Sequence, residues 1–261
     1  MNTCCKTASN LALNLTDDRV FIKNGITLIN GEAIEEMSLI KKESINCIVC
    51  DLPYGSTKNS WDSILPLNKM WKQFNRILVK GGSIILTASQ PFTSMLVVSN
   101  LKQFKYEIMW EKTVGSGQLN INIMPLKKHE SILVFIKEGL KRTYNEQLNT
   151  GKPYAIKRNI KTEDCYGKQK PNSTINKGTR RGTSVWKISN PRIKKGHPTQ
   201  KPLELMRKIL KTYSNEGDVI LDCTFGSCST GKGCQLENRD FVGIELDKQY
   251  FDKGVEWIDE L

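Results

Sequence analysis

Short apolar runs that end in an acid punctuate this chain. Ile26–Asn30 leads into Gly31-Glu32, Ile45–Cys50 into Asp51, Asp218–Leu221 into Asp222, and Phe241–Ile244 into Glu245. Short runs of this kind bounded by polar or turn-forming residues read as buried strands. Between them the period changes. Met70, Trp71, Phe74, Ile77 and Leu78 recur at helical spacing and predict an amphipathic helix over Leu67–Leu78. Gly81-Gly82 then opens a strand at Ser83–Thr87, and Tyr106–Lys112 and His129–Lys137 read as two more strands. Alternating strand and helix patterns predict an α/β fold with a mainly parallel sheet covered on both faces. Open sheets of that kind bind ligands beyond the carboxyl ends of their strands. Glu32, Asp51, the loop after Asp222 and Glu245 therefore fall along one edge despite their separation in sequence.

The chemistry is densest at Asp51-Leu52-Pro53-Tyr54-Gly55. Pro53 biases Leu52 toward an extended backbone, so the Leu52 carbonyl and the Asp51 carboxylate can project together as acceptors beside the ring of Tyr54. An exocyclic amine on a nucleobase has two N–H donors and a planar body, and this set fits it. A strand ending in a proline turn with a solvated Asp is the plainer alternative. The segment Asp218–Glu245 adds a strand, a Gly-bearing loop from Cys223 to Cys234, a helix and a second acid-ended strand. That βαβ unit can hold an adenosine-like ligand, with Gly226 admitting the ligand to the backbone and Glu245 accepting from both ribose hydroxyls. Gly226–Gly233 also matches the phosphate loop of a nucleoside triphosphatase. However, Gly233 stands where a hydroxyl should reach Mg²⁺, and the acid-ended strand precedes the loop instead of following it.

Three segments together resemble the amino-methylating DNA methyltransferases of the permuted, beta order. Asp51-Leu52-Pro53-Tyr54 is similar to the catalytic D-P-P-Y segment, His197-Pro198-Thr199-Gln200-Lys201-Pro202-Leu203-Glu204 to H-P-T-Q-K-P-x-E, and Phe225–Thr230 to the F-x-G-S-G-type cofactor loop. The resemblance implies a Rossmann-like fold in circularly permuted order and S-adenosylmethionine as cofactor. It further implies catalytic roles for Asp51, Leu52, Pro53 and Tyr54. It places Asp222, Phe225, Gly226, Ser227 and Glu245 on the cofactor, Glu32 near its adenine or ribose, and Thr199 with Lys201 at its carboxylate. The chain departs from the pattern at Leu52, which replaces a proline, at Thr224, where a phenylalanine is common, and at Cys228, which replaces the last glycine of the loop. A side chain at Cys228 crowds the loop if the backbone there needs positive φ, which makes a DNA binder without catalysis a further reading. The chain has no Pro-Cys dipeptide of the kind that carbon-5 cytosine chemistry uses. Asp51 in the first position points to N6 of adenine, with N4 of cytosine as the alternative.

Charge locates the partner. Residues 141–195 hold fifteen Lys or Arg against three acids, which equals the formal net charge of +12 for all 261 residues. The segment is poor in aliphatics and carries Tyr144, Tyr154, Tyr166 and Trp186 among its cations. Cations interleaved with aromatics suit DNA, through counterion release and stacking, although a solvated basic loop has the same composition. Residues 140–196 read as a target-recognition insert between a catalytic half, 1–139, and a cofactor-binding half, 197–261. Arg180, Arg181, Lys187 and Arg192 are its candidate phosphate or guanine contacts. Trp110 reads as core, and Gly115-Ser116-Gly117 as a loop near the target base.

Eight scattered cysteines without zinc spacing lead us to expect no metal site, and Cys47 and Cys50 fall on opposite faces of their strand. No apolar run is long enough to span a membrane, and the first residues lack a signal-peptide pattern, so an intracellular, soluble protein is expected. DNA is the expected partner, with RNA a lesser alternative substrate. A restriction endonuclease acting with the chain would be a separate protein, and a homodimer is compatible with everything above.

Overall fold

The computed structural model describes residues 18–55, 63–139, 141–158, 162–163, 167–168, 171–190 and 200–260. The chain divides into two units, one comprising the chain up to Asn145 together with Ser184 onward, the other Glu146–Thr183.

The larger unit is built on a nine-stranded sheet. In chain order its strands are β1 (Val20–Lys23), β2 (Ile26–Asn30), β3 (Ile45–Asp51), β4 (Leu78–Ala88), β5 (Phe104–Ser116), β6 (Lys127–Ile136), β7 (Val185–Lys187), β8 (Val219–Asp222) and β9 (Asp240–Glu245). Across the sheet they run β1-β2-β9-β8-β3-β4-β6-β5-β7. The five strands from β2 to β4 are mutually parallel, β1 and β6 run the other way, and β7 lies parallel to β5. Among the described residues six α-helices accompany it: α1 (Ala33–Leu39), α2 (Leu67–Ile77), α3 (Phe92–Ser99), α4 (Leu203–Tyr213), α5 (Ser229–Leu236) and α6 (Lys248–Asp259).

Two apolar clusters cover the two faces. One joins Ile48 and Cys50 to Met70, Phe74 and Ile77 of α2; the other joins Cys47 and Val49 to Leu205 and Ile209 of α4. Alternate residues of β3 thus serve opposite faces, which is why the strand reads as one continuous apolar run and why Cys47 and Cys50 point apart. The expected α2 stops one residue early, at Ile77, because Leu78 already belongs to β4. Gly81 and Gly82 lie inside β4 instead of ahead of it. Gly81 has φ +77°, and a Cβ there would meet the Lys141 carbonyl oxygen at 1.8 Å. Glycine is what allows the chain to pass that point.

The basic segment departs from its expected boundaries. Val185–Lys187 pairs with Met109–Glu111 as an edge strand of the main sheet, and Trp186 and Ile188 are buried in the second cluster. The separate unit is therefore Glu146–Thr183, narrower than 140–196. Its described residues form three antiparallel two-stranded pairings: Asn149–Thr150 with Thr179–Arg180, Tyr154–Arg158 with Asn172–Asn176, and Thr162–Glu163 with Gly167–Lys168. Ile156 and Ile175 of this unit are exposed, so backbone ladders hold it, which agrees with its low aliphatic content. Among the described residues no helix is long and apolar enough to cross a membrane.

Candidate active site

Register brings the acids together. Asp51 ends β3 opposite Thr87 of β4, and Thr87 in turn lies opposite Ile132 of β6, so Glu130 stands just beyond the end of β4. On the other side Asp222 ends β8 opposite Gly243, and Glu245 ends β9 opposite Asn30. The chain turns one way from β3 to β4 and the other way from β8 to β9, so the gap between β3 and β8 is the crossover point where such sheets bind ligands. A cavity of about 880 Å³ lies along this edge, lined by Asp51, Leu52, Pro53, Tyr54, Glu32, Glu130, Lys201, Asp222, Phe225, Gly226, Ser227 and Glu245, among others.

In the corner at Asp51, Oδ1 accepts from the Tyr54 hydroxyl at 2.7 Å and from the Thr87 hydroxyl. Oδ2 accepts from Lys201 Nζ at 2.6 Å. The Tyr54 ring stacks on Phe92 with centroids 5.5 Å apart and planes 30° from parallel. Burial, with Asp51 adding to it, holds the Tyr54 phenol well above its ordinary range, so it stays a donor. Burial alone would lower the Lys201 ammonium, but Asp51, Tyr54 and Glu130 outweigh it and hold the amine well above the usual lysine value. The resemblance would have Lys201 reach the cofactor's carboxylate; the structure gives its ammonium Asp51 and, at 3.4 Å, Glu130 as partners instead.

Along β8 and β9, Asp222 is buried, accepting from Thr230 Oγ1 at 2.8 Å and from the Thr224 amide at 3.2 Å. Burial outweighs those bonds and pushes its carboxyl up to about 7. Glu245 accepts the Gly226 amide at 2.8 Å on one oxygen and the Asp247 amide at 2.9 Å on the other, while burial raises its carboxyl. Glu32 caps α1 by accepting from the Glu35 amide at 2.7 Å. Cys228 adopts φ +61° at the start of α5, the left-handed backbone that a glycine would favour. Its thiol is fully buried and faces Gly231, and it is not among the residues lining the cavity. Lys232 turns away from the loop and donates to the Trp257 carbonyl at 2.7 Å, which leaves a triphosphate loop without its lysine. Trp110 is core, its ring N–H donating to the Ile188 carbonyl at 3.0 Å.

Four residues that matter in this corner were not singled out as site residues from sequence. Thr87 and Phe92 touch Asp51 and Tyr54 only through the β3–β4 register and the turn into α3. Glu130 and Lys112 form a buried ion pair across β5 and β6, and their one signal in sequence is that opposite charges interrupt otherwise apolar strand patterns. The candidate DNA contacts are not brought together. Arg180 is engaged within its own unit, donating to Asn176 Oδ1 at 2.7 Å and to the Lys152 carbonyl, and lying 4.5 Å from the Tyr154 ring centre. Arg181 is mostly exposed and pairs with Glu146. Lys187 is exposed on β7 and lies 4.0 Å from Glu111. His197, Thr199 and Arg192 lie outside the described residues, as does Tyr166.

A family model described as DNA methylase, of the N6/N4 type, matches residues 45–256. The chain belongs to that family. This DNA methylase is 29% identical to the DNA adenine methyltransferase YhdJ of Escherichia coli K12, over 89% of its own length and 82% of YhdJ. It is 28% identical to the type II methyltransferase M.HpaI of Haemophilus parainfluenzae, over 89% and 74%. Among solved structures, M1.HpyAVI in complex with SAM superposes with a TM-score of 0.63 at 24% identity, covering 89% of this chain and 99% of that one. The cytosine-N4-specific PvuII methyltransferase superposes with a TM-score of 0.64 at 14% identity, covering 89% and 86%. These superpositions bear out the Rossmann-like fold that the resemblance implies. Family membership makes S-adenosylmethionine the methyl donor, and the donor set fits it. Glu245 is oriented by backbone amides and lines the cavity, where a carboxylate can accept from ribose hydroxyls, and the carboxylates of Asp51 and Glu245 face a cavity that must accept a cationic ligand.

Proposed function

We propose that this DNA methylase transfers a methyl group to the N6 amine of adenine in duplex DNA, taking up its target base after flipping. The observation that carries this reading is the corner formed by Asp51, Leu52 and Tyr54 on the cavity wall. The flipped base stacks against Tyr54 and places its amine between the Asp51 carboxylate and the Leu52 carbonyl, with Pro53 fixing the direction of that carbonyl. When bound, the cofactor would supply an electrophilic methyl whose bond to the sulfonium sulfur breaks as the bond to nitrogen forms, leaving a neutral thioether. Asp51 stabilises the positive charge that grows on nitrogen as the nitrogen lone pair becomes the new N–C bond, and the carboxylate plane needs no reorientation because Tyr54 and Thr87 already hold it. Proximity contributes the rest, and the surplus proton leaves the methylated nitrogen through Asp51 to solvent.

For the cofactor, Glu245 holds the ribose, Glu32 lies by the adenine or ribose, and Thr199 meets the carboxylate. The loop that opens at Asp222 approaches through the backbone of Phe225, Gly226 and Ser227. DNA is the partner, and the basic unit Glu146–Thr183 with Arg180 and Arg181, joined by Lys187 and Arg192, supplies phosphate or base contacts. The adenine preference rests on Asp51 in the first position and on the likeness to an enzyme named as an adenine methyltransferase.

The test is to incubate the protein with S-adenosylmethionine and mixed-sequence duplex, digest to nucleosides and identify the products by mass spectrometry. N6-methyladenine that disappears with Asp51→Ala supports the reading. N4-methylcytosine would replace the base while keeping the corner, and an active Asp51→Ala protein would sink the assignment.

A further inference from the structure

Lys201 stands where the target base must go. Its ammonium is 2.6 Å from Asp51 Oδ2 and overlies the Tyr54 ring at 5.6 Å from the centroid. Asp51 Oδ1 already accepts from Tyr54 and Thr87, which uses both of its lone pairs. Oδ2 is thus the oxygen left for an amine, and Lys201 already takes one of its two lone pairs and competes there with an incoming amine. A cation on the carboxylate also offsets the negative charge that Asp51 offers to a nitrogen becoming positive. One side chain therefore obstructs both the acceptor and the stacking ring.

A second berth for that ammonium is built into the sheet. Glu130 Oε2 is buried without a hydrogen-bond partner, and Lys201 Nζ lies 3.4 Å from it, outside good hydrogen-bonding range. A buried carboxylate oxygen left in that state is costly and calls for a reason. The other oxygen, Oε1, is fixed by Lys112 from β5, and Glu130 itself is set by its pairing with Trp110. The carboxylate is rigid, whereas the end of a lysine is free to rotate.

We propose that Lys201 gates the base site and that Glu130 opens it: as the target base arrives, the ammonium moves from Asp51 Oδ2 to Glu130 Oε2, freeing the carboxylate and the Tyr54 ring together. The proposal rests on the amino-methylation reading. Glu130 is a positioning residue in it, acting through Lys201 and touching no substrate.

The test compares Glu130→Gln, Lys201→Met and the double variant with wild type. The duplex carries the sequence mapped from wild-type methylation, with 2-aminopurine at the methylated position. On that duplex base-site occupancy is read without cofactor by 2-aminopurine fluorescence and DNA affinity by anisotropy; kcat and KM are read with cofactor on the same sequence carrying the natural target base, because 2-aminopurine has no 6-amino group to methylate. Glu130→Gln is expected to lower kcat about tenfold or more and to diminish the fluorescence change, with DNA affinity little altered. Adding Lys201→Met should restore the fluorescence change and bring kcat back to the level of Lys201→Met alone. Lys112 loses its charged partner in both Glu130 variants, so a structural fault would persist in the double variant and show no such rescue. A double variant no better than Glu130→Gln overturns the gate. Lys201→Met alone leaves Glu130 intact and should raise occupancy severalfold; unchanged occupancy would also overturn it. A wild type that methylates no base overturns the amino-methylation reading and the gate with it, whereas a methylating wild type with independent, additive variants overturns the gate alone.

Discussion

Thr87 and Asp51 face each other across the β3–β4 ladder, and the Thr87 hydroxyl donates to the same carboxylate oxygen that takes the Tyr54 hydroxyl. Two donors on one oxygen fix the plane of the carboxylate before any ligand arrives. Thr87→Val removes one donor at nearly constant volume, and Tyr54→Phe removes the other while keeping the ring. Each should lower kcat by about ten- to a hundredfold, the worth of one hydrogen bond to a charged group, with the cofactor KM unchanged. Steady-state kinetics check this, and a purely KM effect would contradict it.

Glu245 differs in holding its site together as well as facing it. Glu245→Gln keeps an acceptor for one backbone amide but loses the charge and the second acceptor. The cofactor KM should rise about tenfold or more while kcat at saturation stays near wild type. Initial rates against cofactor concentration decide it, and an unchanged KM removes Glu245 from the cofactor.

Asp222 makes stability depend on pH. Its carboxyl is pushed up to about 7 in the folded chain by burial, against an ordinary value of 3.8. A raised acid favours the folded state fully below the unfolded pKa, and that contribution is lost as pH rises through the folded pKa. Between about pH 4 and about pH 7 the wild type should therefore lose melting temperature relative to Asp222→Asn. Parallel melting curves for the two proteins across that range would refute it.

Cys228 occupies left-handed backbone with its thiol buried behind the loop. Cys228→Gly relieves roughly 1 kcal/mol of backbone strain and forfeits the packing of the sulfur, so stability should change little. Because the side chain does not line the cavity, cofactor affinity should stay within about twofold, a difference of less than 1 kcal/mol. Isothermal titration measures it, and a large gain in affinity would mean that the sulfur crowds the ligand.

In the basic unit, Arg181 is mostly exposed and Arg180 is tied to its neighbours. Arg181→Ala should reduce the salt dependence of DNA affinity by about one unit of slope. Arg180→Ala should instead loosen the unit and weaken binding beyond one charge. Affinity measured over a salt series separates the two, and equal slopes for all three proteins would take both arginines off the phosphates.

Much of the fold could be read from sequence because β3, β8 and β9 are buried on both faces and end in acids, a pattern that depends on nothing distant. The face of α2 was legible for the same reason. Thr87 and Glu130 were not, since their roles come from which strands lie side by side, and β6 is separated from β3 by two strands and two helices in sequence. The edge strand Val185–Lys187 is not legible because three residues, one of them a lysine, give no period. Lys201 could be placed at the site from its motif, but its partner could not, because sequence does not say which of several acids at one sheet edge a flexible amine will choose.

The ladder-built unit Glu146–Thr183 has a consequence for how such a protein changes over generations. Where backbone pairing holds a segment and its side chains largely face water, most replacements cost little folding free energy. Its surface can drift and be retuned toward new contacts while the catalytic sheet, whose every strand is tied to a core, stays as it is.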